Sequence, residues 1–258
     1  MPYAPWYAGK LIAAAEQERL VGTFHILPFG RKERLGSWVV GRAQQSTLRR
    51  FDASVAPSPA AQEFARWAYK IKADVVPNPV NFSFYNEYPS PEEPDDEYVN
   101  IVFVGRLVER KGAQHLIALM QEGLLNCNEK KVRLTIAGAG PMEDELRKQA
   151  AHITYPGYEV MFLGSISDED KASLFKSSDL AVFPATGGES FGIILLEAMS
   201  AGRPIVFGGN NPGYEHVLTS DHPRPDAPVS FDPANLGHMS TIINAYIDNE
   251  TLRSQVRL

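Results

Sequence analysis

The strongest constraint on this chain is a beat that repeats through residues 99–231. Apolar runs of strand length, most of them ending at a glycine or proline, alternate with amphipathic segments. The runs are Val99–Val104 before Gly105, Val132–Ala137 before Gly138, Val160–Leu163 before Gly164, Leu180–Phe183 before Pro184 and Pro204–Phe207 before Gly208, with a weaker one at Val229–Phe231. Between and after them, helices are expected near Gly112–Gln121, Met142–Ala151, Asp168–Ser177, Phe191–Ser200, Gly213–Thr219 and Pro233–Asp248. Continuous β-branched runs mean strands buried on both faces, hence a parallel sheet with helices on either side. Crossovers of this kind are right-handed. The expected α/β domain is doubly wound, and its ligands belong at the C-terminal ends of its strands.

Residues 1–88 follow the same grammar in shorter form. Strands are expected at Val21–Ile26, Ala53–Ala56 and Asp74–Val76, and helices at Gly36–Arg49 and Pro59–Lys70. Three strands and about three helices bury little surface as an independent core. The Pro-rich acidic stretch PSPEEPDDE at 89–97 has no periodicity and reads as a linker or exposed loop. The expected division is therefore 1–88 and 89–258.

The 258 residues are 44% hydrophobic and 22% charged, enough for a real core. Cys127 stands alone, so one chain can form neither a disulfide framework nor a thiolate metal site. A reducing compartment is the default for such a chain. No apolar run approaches a bilayer span, and neither HExxH nor a Cys/His ligand spacing occurs among the 6 histidines. The net charge of −6 is uneven: residues 1–80 carry 11 Lys and Arg against 6 Asp and Glu, a balance of +5, and the remainder carries −11. An acidic majority argues against nucleic acid as a partner. The basic excess is densest from Arg31 to Arg50. It reads as a solvated helix face, favoured because no large apolar face accompanies it, or as a contact with anionic lipid or a phosphorylated acceptor.

Gly187-Gly188-Glu189-Ser190-Phe191-Gly192 runs straight into the apolar helix Ile193–Ser200, which carries Glu197. Backbone N–H groups at a helix N-terminus favour an anion, and carboxylates accept hydrogen bonds from hydroxyls. The Glu-x7-Glu pattern within GGESFGIILLEAM resembles the signature of glycosyltransferase family four, retaining nucleotide-sugar enzymes of GT-B fold, here two Rossmann-like doubly wound domains with the N-terminal one incomplete. Gly105-Arg106-Leu107 with Lys111-Gly112 is similar to that family's diphosphate-gripping GRL-x-x-x-KG segment. GTFH at 22–25 and PNPVN at 77–81 resemble segments of phosphatidylinositol mannosyltransferase-like enzymes. Gly138-Ala139-Gly140-Pro141 is not a dinucleotide fingerprint, because position 143 is Glu143. It is similar to a GxGP turn near the family's nucleotide.

The resemblance assigns roles. Arg106 and Lys111 would hold the donor diphosphate. Glu189 would contact the sugar, and His25 would approach it. The N–H groups of Phe191, Gly192 and Ile193 would face phosphate or sugar, and Glu197 would take the ribose. Gly105 and Gly138 would line the pocket. Ile166 would pack the base, and Lys171 would reach a guanine carbonyl, favouring a GDP-sugar over a UDP-sugar. Read without the resemblance, His25 is a core histidine capping a strand and Asp168 is a helix cap. The implied activity is a metal-independent, retaining transfer of a hexose, with mannose the one named by the resemblance, to a lipid or glycan acceptor. A cytoplasmic protein, peripheral at the inner face of the membrane, is expected. The alternatives are a catalytically incomplete nucleotide-sugar-binding fragment and a GT-B nucleotide-sugar epimerase. Against the family pattern the chain reads as truncated at both ends, with donor binding, little turnover and self-association expected.

Overall fold

The computed structural model describes residues 19–89, 97–126, 130–220, 228–249 and 251–253. Residues 1–18, Cys127 and most of the acidic stretch, Asp95 and Asp96 included, lie outside them. The chain forms two compact units. The first holds residues 19–79 together with 187–192, and the second holds 80–186 with 193–253.

The first unit is a parallel sheet of three short strands, β1 (Val21–Thr23), β2 (Ala53–Ala56) and β3 (Asp74–Val75), in that order. Its helices are α1 (Arg31–Ala43), α2 (Gln45–Leu48) and α3 (Pro59–Tyr69). Ser58 caps α3, its Oγ accepting from Ala61 N at 3.1 Å, and Pro59 supplies the first helical φ. Lys70 stops the helix in the left-handed region at φ 54°. The core gathers Leu48, Ala56, Phe64, Ala68, Tyr69 and Ile71, with Phe24, Leu27 and Phe51 packed against it.

The helix expected at Gly36–Arg49 is corrected at both ends. It begins at Arg31, where the Glu33 carboxylate reaches back to accept from Phe29 N at 2.9 Å. It breaks at Gln44 because the Gln45 side-chain amide takes the Gly41 carbonyl at 2.8 Å and Tyr69 O at 2.6 Å. The basic segment also carries an apolar face that the sequence reading denied it. Leu35, Trp38 and Val39, at helical spacing, are 61%, 36% and 52% exposed, with Arg42 stacked over Trp38.

The second unit is a six-stranded parallel sheet, β4 (Tyr98–Val104), β5 (Lys131–Ala137), β6 (Tyr158–Gly164), β7 (Leu180–Phe183), β8 (Ile205–Gly209) and β9 (Ser230–Phe231), in the order β6-β5-β4-β7-β8-β9. The order reverses between β4 and β7, which pair through Ile101 with Leu180 and Val102 with Ala181. Helices α4 (Phe82–Asn86), α5 (Ala113–Gln121), α6 (Glu143–Ala150), α7 (Asp168–Lys176), α8 (Ile193–Ser200), α9 (Pro212–Ser220) and α10 (Leu236–Ile247) accompany it. Every residue of β7 and β8 is buried, as continuous apolar runs require. The edge strand β6 departs from that expectation: Met161 and Leu163 point outward, since an edge has no neighbour to cover it. The change of unit falls at Val80 rather than after residue 88, because α4 packs on α8 and Tyr85 sets its ring 6.4 Å from Phe175.

Candidate functional site

In a doubly wound sheet the ligand crevice opens where the strand order reverses, outside the C-terminal strand ends. Here that is the junction of β4 and β7. The loops leaving β4, β5, β6 and β7 are joined there by their backbones. Gly105 N donates to Ala137 O at 2.9 Å, Leu107 N to Ala139 O at 3.0 Å, and Gly138 N to Gly164 O at 2.7 Å. Thr186 N donates to Arg110 O at 2.9 Å. Two glycines permit this closeness. Gly138, at φ 139°, leaves no room for a Cβ, which would lie 1.9 Å from Gly105 O. Gly112, at φ 81°, would bring a Cβ to 2.0 Å from Pro184 O. The Gly138 turn is thus a brace for the loop that follows β4.

On this frame Arg106 is exposed one residue past Gly105, and Lys111 is half-buried in a 3-10 turn, Glu109–Lys111, that leads into α5. Ile166 is half-buried in the loop before α7. The cap of α7 corrects the reading of Asp168. Ser167 is the N-cap, with Oγ accepting from Asp170 N at 3.0 Å, and Asp170 answers from the third helical position in a capping box. Asp168 instead bonds Lys171 Nζ at 2.9 Å, its side chain 76% exposed.

Lys171 and Glu197, separated by 26 positions in sequence, meet. Nζ lies 3.0 Å from Glu197 Oε2, with the two side chains 14% and 16% exposed. Tyr85, 4% exposed, joins them: its ring centroid is 5.6 Å from Lys171 Nζ. Burial pushes the Tyr85 phenol up to about 12, against the Lys171 hydrogen bond and with the Glu197 charge. Burial alone would lower the Lys171 ammonium, but hydrogen bonds to Tyr85, Asp168 and Glu197 outweigh it and hold the group above the usual lysine range. Sequence reasoning missed Tyr85, because an aromatic in Phe82–Asn86 signals packing and nothing there marks the hydroxyl.

Helix α8 begins at Ile193, not Phe191, because Gly192 at φ 84° cannot continue a right-handed helix backwards. Ile193 is 42% exposed at its first turn, and Glu197 follows one turn later. The two glutamates of the Glu-x7-Glu pattern fall in different units. Glu189, 9% exposed, and Phe191, 3% exposed, belong with Gly192 to the segment of the first unit where Ser58 Oγ donates to Ser190 O at 2.6 Å. His25 is exposed just past the end of β1, so it is not a core residue. Among the described residues no three His, Cys, Asp or Glu side chains gather as a metal site, and no helix is long and apolar enough to cross a membrane.

Residues 85–257 match the family described as glycosyl transferases group 1, and residues 1–84 match glycosyltransferase family 4. This chain belongs to the glycosyl transferases group 1 family. A phosphatidyl-myo-inositol mannosyltransferase of Mycolicibacterium smegmatis is 37% identical over 153 residues, 59% of this chain but 38% of that protein. An uncharacterized glycosyltransferase of Methanocaldococcus jannaschii is 42% identical over 112 residues, 43% of this chain and 27% of that protein. Among solved structures, Anabaena HepE in complex with UDP and glucose superposes with a TM-score of 0.77 at 21% identity, over 99% of this chain and 68% of that one. Sucrose-phosphate synthase from Thermosynechococcus elongatus gives 0.70 at 18%, over 99% and 64%. These likenesses establish the α/β GT-B fold of this group 1 chain.

Proposed function

We propose that this group 1 chain acts in the transfer of a hexose from a nucleotide sugar to a lipid or glycan acceptor, with retention at the anomeric carbon and without a metal. The observation that carries the reading is the braced edge at the β4–β7 reversal, with Arg106, Lys111 and Ile166 on its loops, and the ion pair that joins Lys171 of α7 to Glu197 of α8. The anomeric carbon–phosphate oxygen bond breaks, and the acceptor oxygen bonds the same face of the carbon. The acceptor proton passes to the leaving diphosphate. Charge grows on that diphosphate, and Arg106 and Lys111 offer fixed cations to stabilise it. Glu197 takes the ribose diol and Ile166 packs the base. The roles of Glu189 and His25 rest on the family resemblance.

GDP-mannose is the donor proposed, since Lys171 suits a guanine carbonyl. HepE was solved with UDP, which makes UDP the competing base. The name of the mycobacterial relative supports a lipid acceptor. We place the protein at the cytoplasmic face of a membrane, touching anionic lipid through α1, whose Leu35, Trp38 and Val39 stand exposed among Arg31, Lys32 and Arg42. Vesicle co-sedimentation tests this: anionic vesicles should retain the protein at low salt, and equal retention on neutral vesicles refutes the basic contribution.

Calorimetry with GDP, UDP and their sugars tests the donor site. Binding is expected between micromolar and millimolar, about −8 to −4 kcal/mol, and unchanged by EDTA. No heat with any nucleotide from folded protein refutes the reading, and a strict magnesium requirement refutes metal independence. In a form that turns over, Lys111→Ala should lower kcat about a hundredfold, on the order of 3 kcal/mol. Glu197→Ala should chiefly raise KM.

A further inference from the structure

A cavity of about 330 Å³ lies in the first unit, among residues that have no part in the donor site. It is lined by the buried side chains of Leu48 and Ile71, by Gln45 and Ser54, and by three exposed cations, Arg49, Lys70 and Lys72. No Asp or Glu lines it, and among the described residues none of the three cations forms an ion pair. Asp52, the acid nearest Arg49 in sequence, accepts from Leu20 N at 2.7 Å instead. Arg49 and Ser54 stand before and at the start of β2, and Lys70 and Lys72 precede β3. The strands are parallel, so the cavity sits at their N-terminal ends, opposite the end where His25 follows β1. Doubly wound sheets bind their usual ligands at the C-terminal ends.

Two features show that the lining is built. The Gln45 amide gives both its N–H donors to backbone carbonyls, Gly41 O at 2.8 Å and Tyr69 O at 2.6 Å. That ties the start of α2 to the end of α3 and leaves the amide oxygen as an acceptor. Lys70, at φ 54°, is the one non-glycine at positive φ among the described residues. A helix end of this shape favours glycine, which has no Cβ to clash. A lysine held there keeps an ammonium at the cavity at a conformational cost, an outlier of the kind found at functional positions. We infer that this cavity is an anion site for the phosphate monoester of a small polyol. The Arg49 fork suits two phosphate oxygens and the lysines add point charges, so three positive charges meet about two negative ones. Gln45 and Ser54 offer hydrogen bonds to hydroxyls, and Leu48 and Ile71 offer contact to carbon. Such an ester occurs free, as glycerol 3-phosphate, and on a lipid, as phosphatidate.

The test titrates the whole chain with glycerol 3-phosphate at low salt, where charge is least screened. Calorimetry should give a Kd of about 1 mM or tighter. Amide resonances of Ser54 and Lys72 should shift, and those of Gly105 and Lys111 should stay. Lys70→Gly installs the residue that this backbone favours, so the melting temperature should hold or rise while Kd weakens about tenfold, the scale of one charge-assisted hydrogen bond. Lys72→Gln should weaken it about as much. Vesicles containing phosphatidate separate the two sources. Retention on them that falls with Lys70→Gly assigns a lipid headgroup, and binding of the free ester without such retention assigns a soluble ligand. Binding of neither form by the wild-type protein overturns the inference. So does full affinity in both variants, or vesicle retention that both leave unchanged in the absence of ester binding, which would belong to α1. Shifts confined to Gly105 and Lys111 would place the ester in the donor site and overturn it as well. If Lys72→Gln does not fold, Lys70→Gly decides the question alone. No step requires nucleotide binding, so the donor-site reading and this one fail separately.

Discussion

The two units are built by one grammar at different scales. The second has a central sheet in which β4, β5, β7 and β8 are four to seven residues long and largely buried. The first has strands of 3, 4 and 2 residues, and Val21 on β1 is 60% exposed. Apolar burial scales with strand length and with the number of neighbours, so the second unit should carry most of the stability. Its rigidity also serves the site. The loops of the β4–β7 reversal are braced by backbone hydrogen bonds among themselves, which fixes the backbone that carries the candidate site's charged residues.

The sharpest way to break this comparison is to cut one aromatic from each core. Phe103 on β4 is 1% exposed, with Phe183 at 6.5 Å. Phe103→Ala should destabilise the second unit by about 3–5 kcal/mol. Phe64 on α3 is 6% exposed, beside Tyr69 at 6.2 Å and Trp67 at 5.8 Å. Phe64→Ala should cost about 3 kcal/mol at most, read as lost amide protection confined to residues 19–79 and 187–192. Hydrogen exchange on both variants checks this, and a Phe64→Ala effect that spreads evenly through β4, β5 and β7 breaks the division into units.

The same contrast explains what the sequence made legible. Long buried strands announce themselves, because a run such as Leu180–Phe183 has no polar position that could mislead. In the first unit the signals were local and weak. The helix beginning at Arg31 was misplaced because its start depends on Glu33 reaching back to Phe29 N and its end on Gln45 competing for the Gly41 carbonyl. Neither side-chain bond has a periodic trace. In the site, glycines and charges stood out in sequence, but their partners did not. That Lys171 meets Glu197 and Tyr85 follows from the packing of α4, α7 and α8, elements separated in sequence and joined only by the fold.

A smaller effect compares two serine caps. Ser58 of the first unit is fully buried, caps α3 and also donates to Ser190 O at 2.6 Å. Ser167 of the second caps α7 from an exposed position. Ser58→Ala should cost about 2 kcal/mol, because the half-buried Ser190 carbonyl loses its partner along with the cap. Ser167→Ala should cost about 1 kcal/mol, since water replaces the hydroxyl. Chemical denaturation of the two variants checks the order, and a larger cost at Ser167 reverses the argument.

The alkaline limb separates the units again. Tyr85 is raised to about 12, and Lys171 is also raised. Between the ordinary tyrosine value of 10.0 and about 12 the folded protein holds a proton that the unfolded chain has released, so stability falls as pH rises. Lys171 acts with the same sign, its contribution complete below 10.5 and lost above it. In the first unit Tyr69 is likewise raised, chiefly by burial, with Ser37 opposing. Tyr85→Phe should flatten the alkaline decline of the second unit while Tyr69→Phe leaves that unit's decline unchanged, both followed by denaturation at pH 9 to 12.

The smallest effect lies on the acid side, at His115, the third residue of α5. Burial lowers this imidazole below 6.5, against the opposing charge of Asp232. A histidine held neutral in the folded state binds its proton first in the unfolded chain. Stability is therefore whole above pH 6.5 and declines as pH falls through that value towards the lower folded one. His115 follows Gly112 into α5, its N–H bonding Gly112 O at 2.9 Å, and its side-chain carbon lies 3.2 Å from where a Gly112 Cβ would stand. Charging it burdens the same turn that carries Lys111. His115→Gln should remove this acid slope from the melting temperature of the second unit and leave the alkaline limb untouched. A slope that survives the substitution would mean that another group titrates there, and the buried turn beside Lys111 would not be what makes the second unit sensitive to acid.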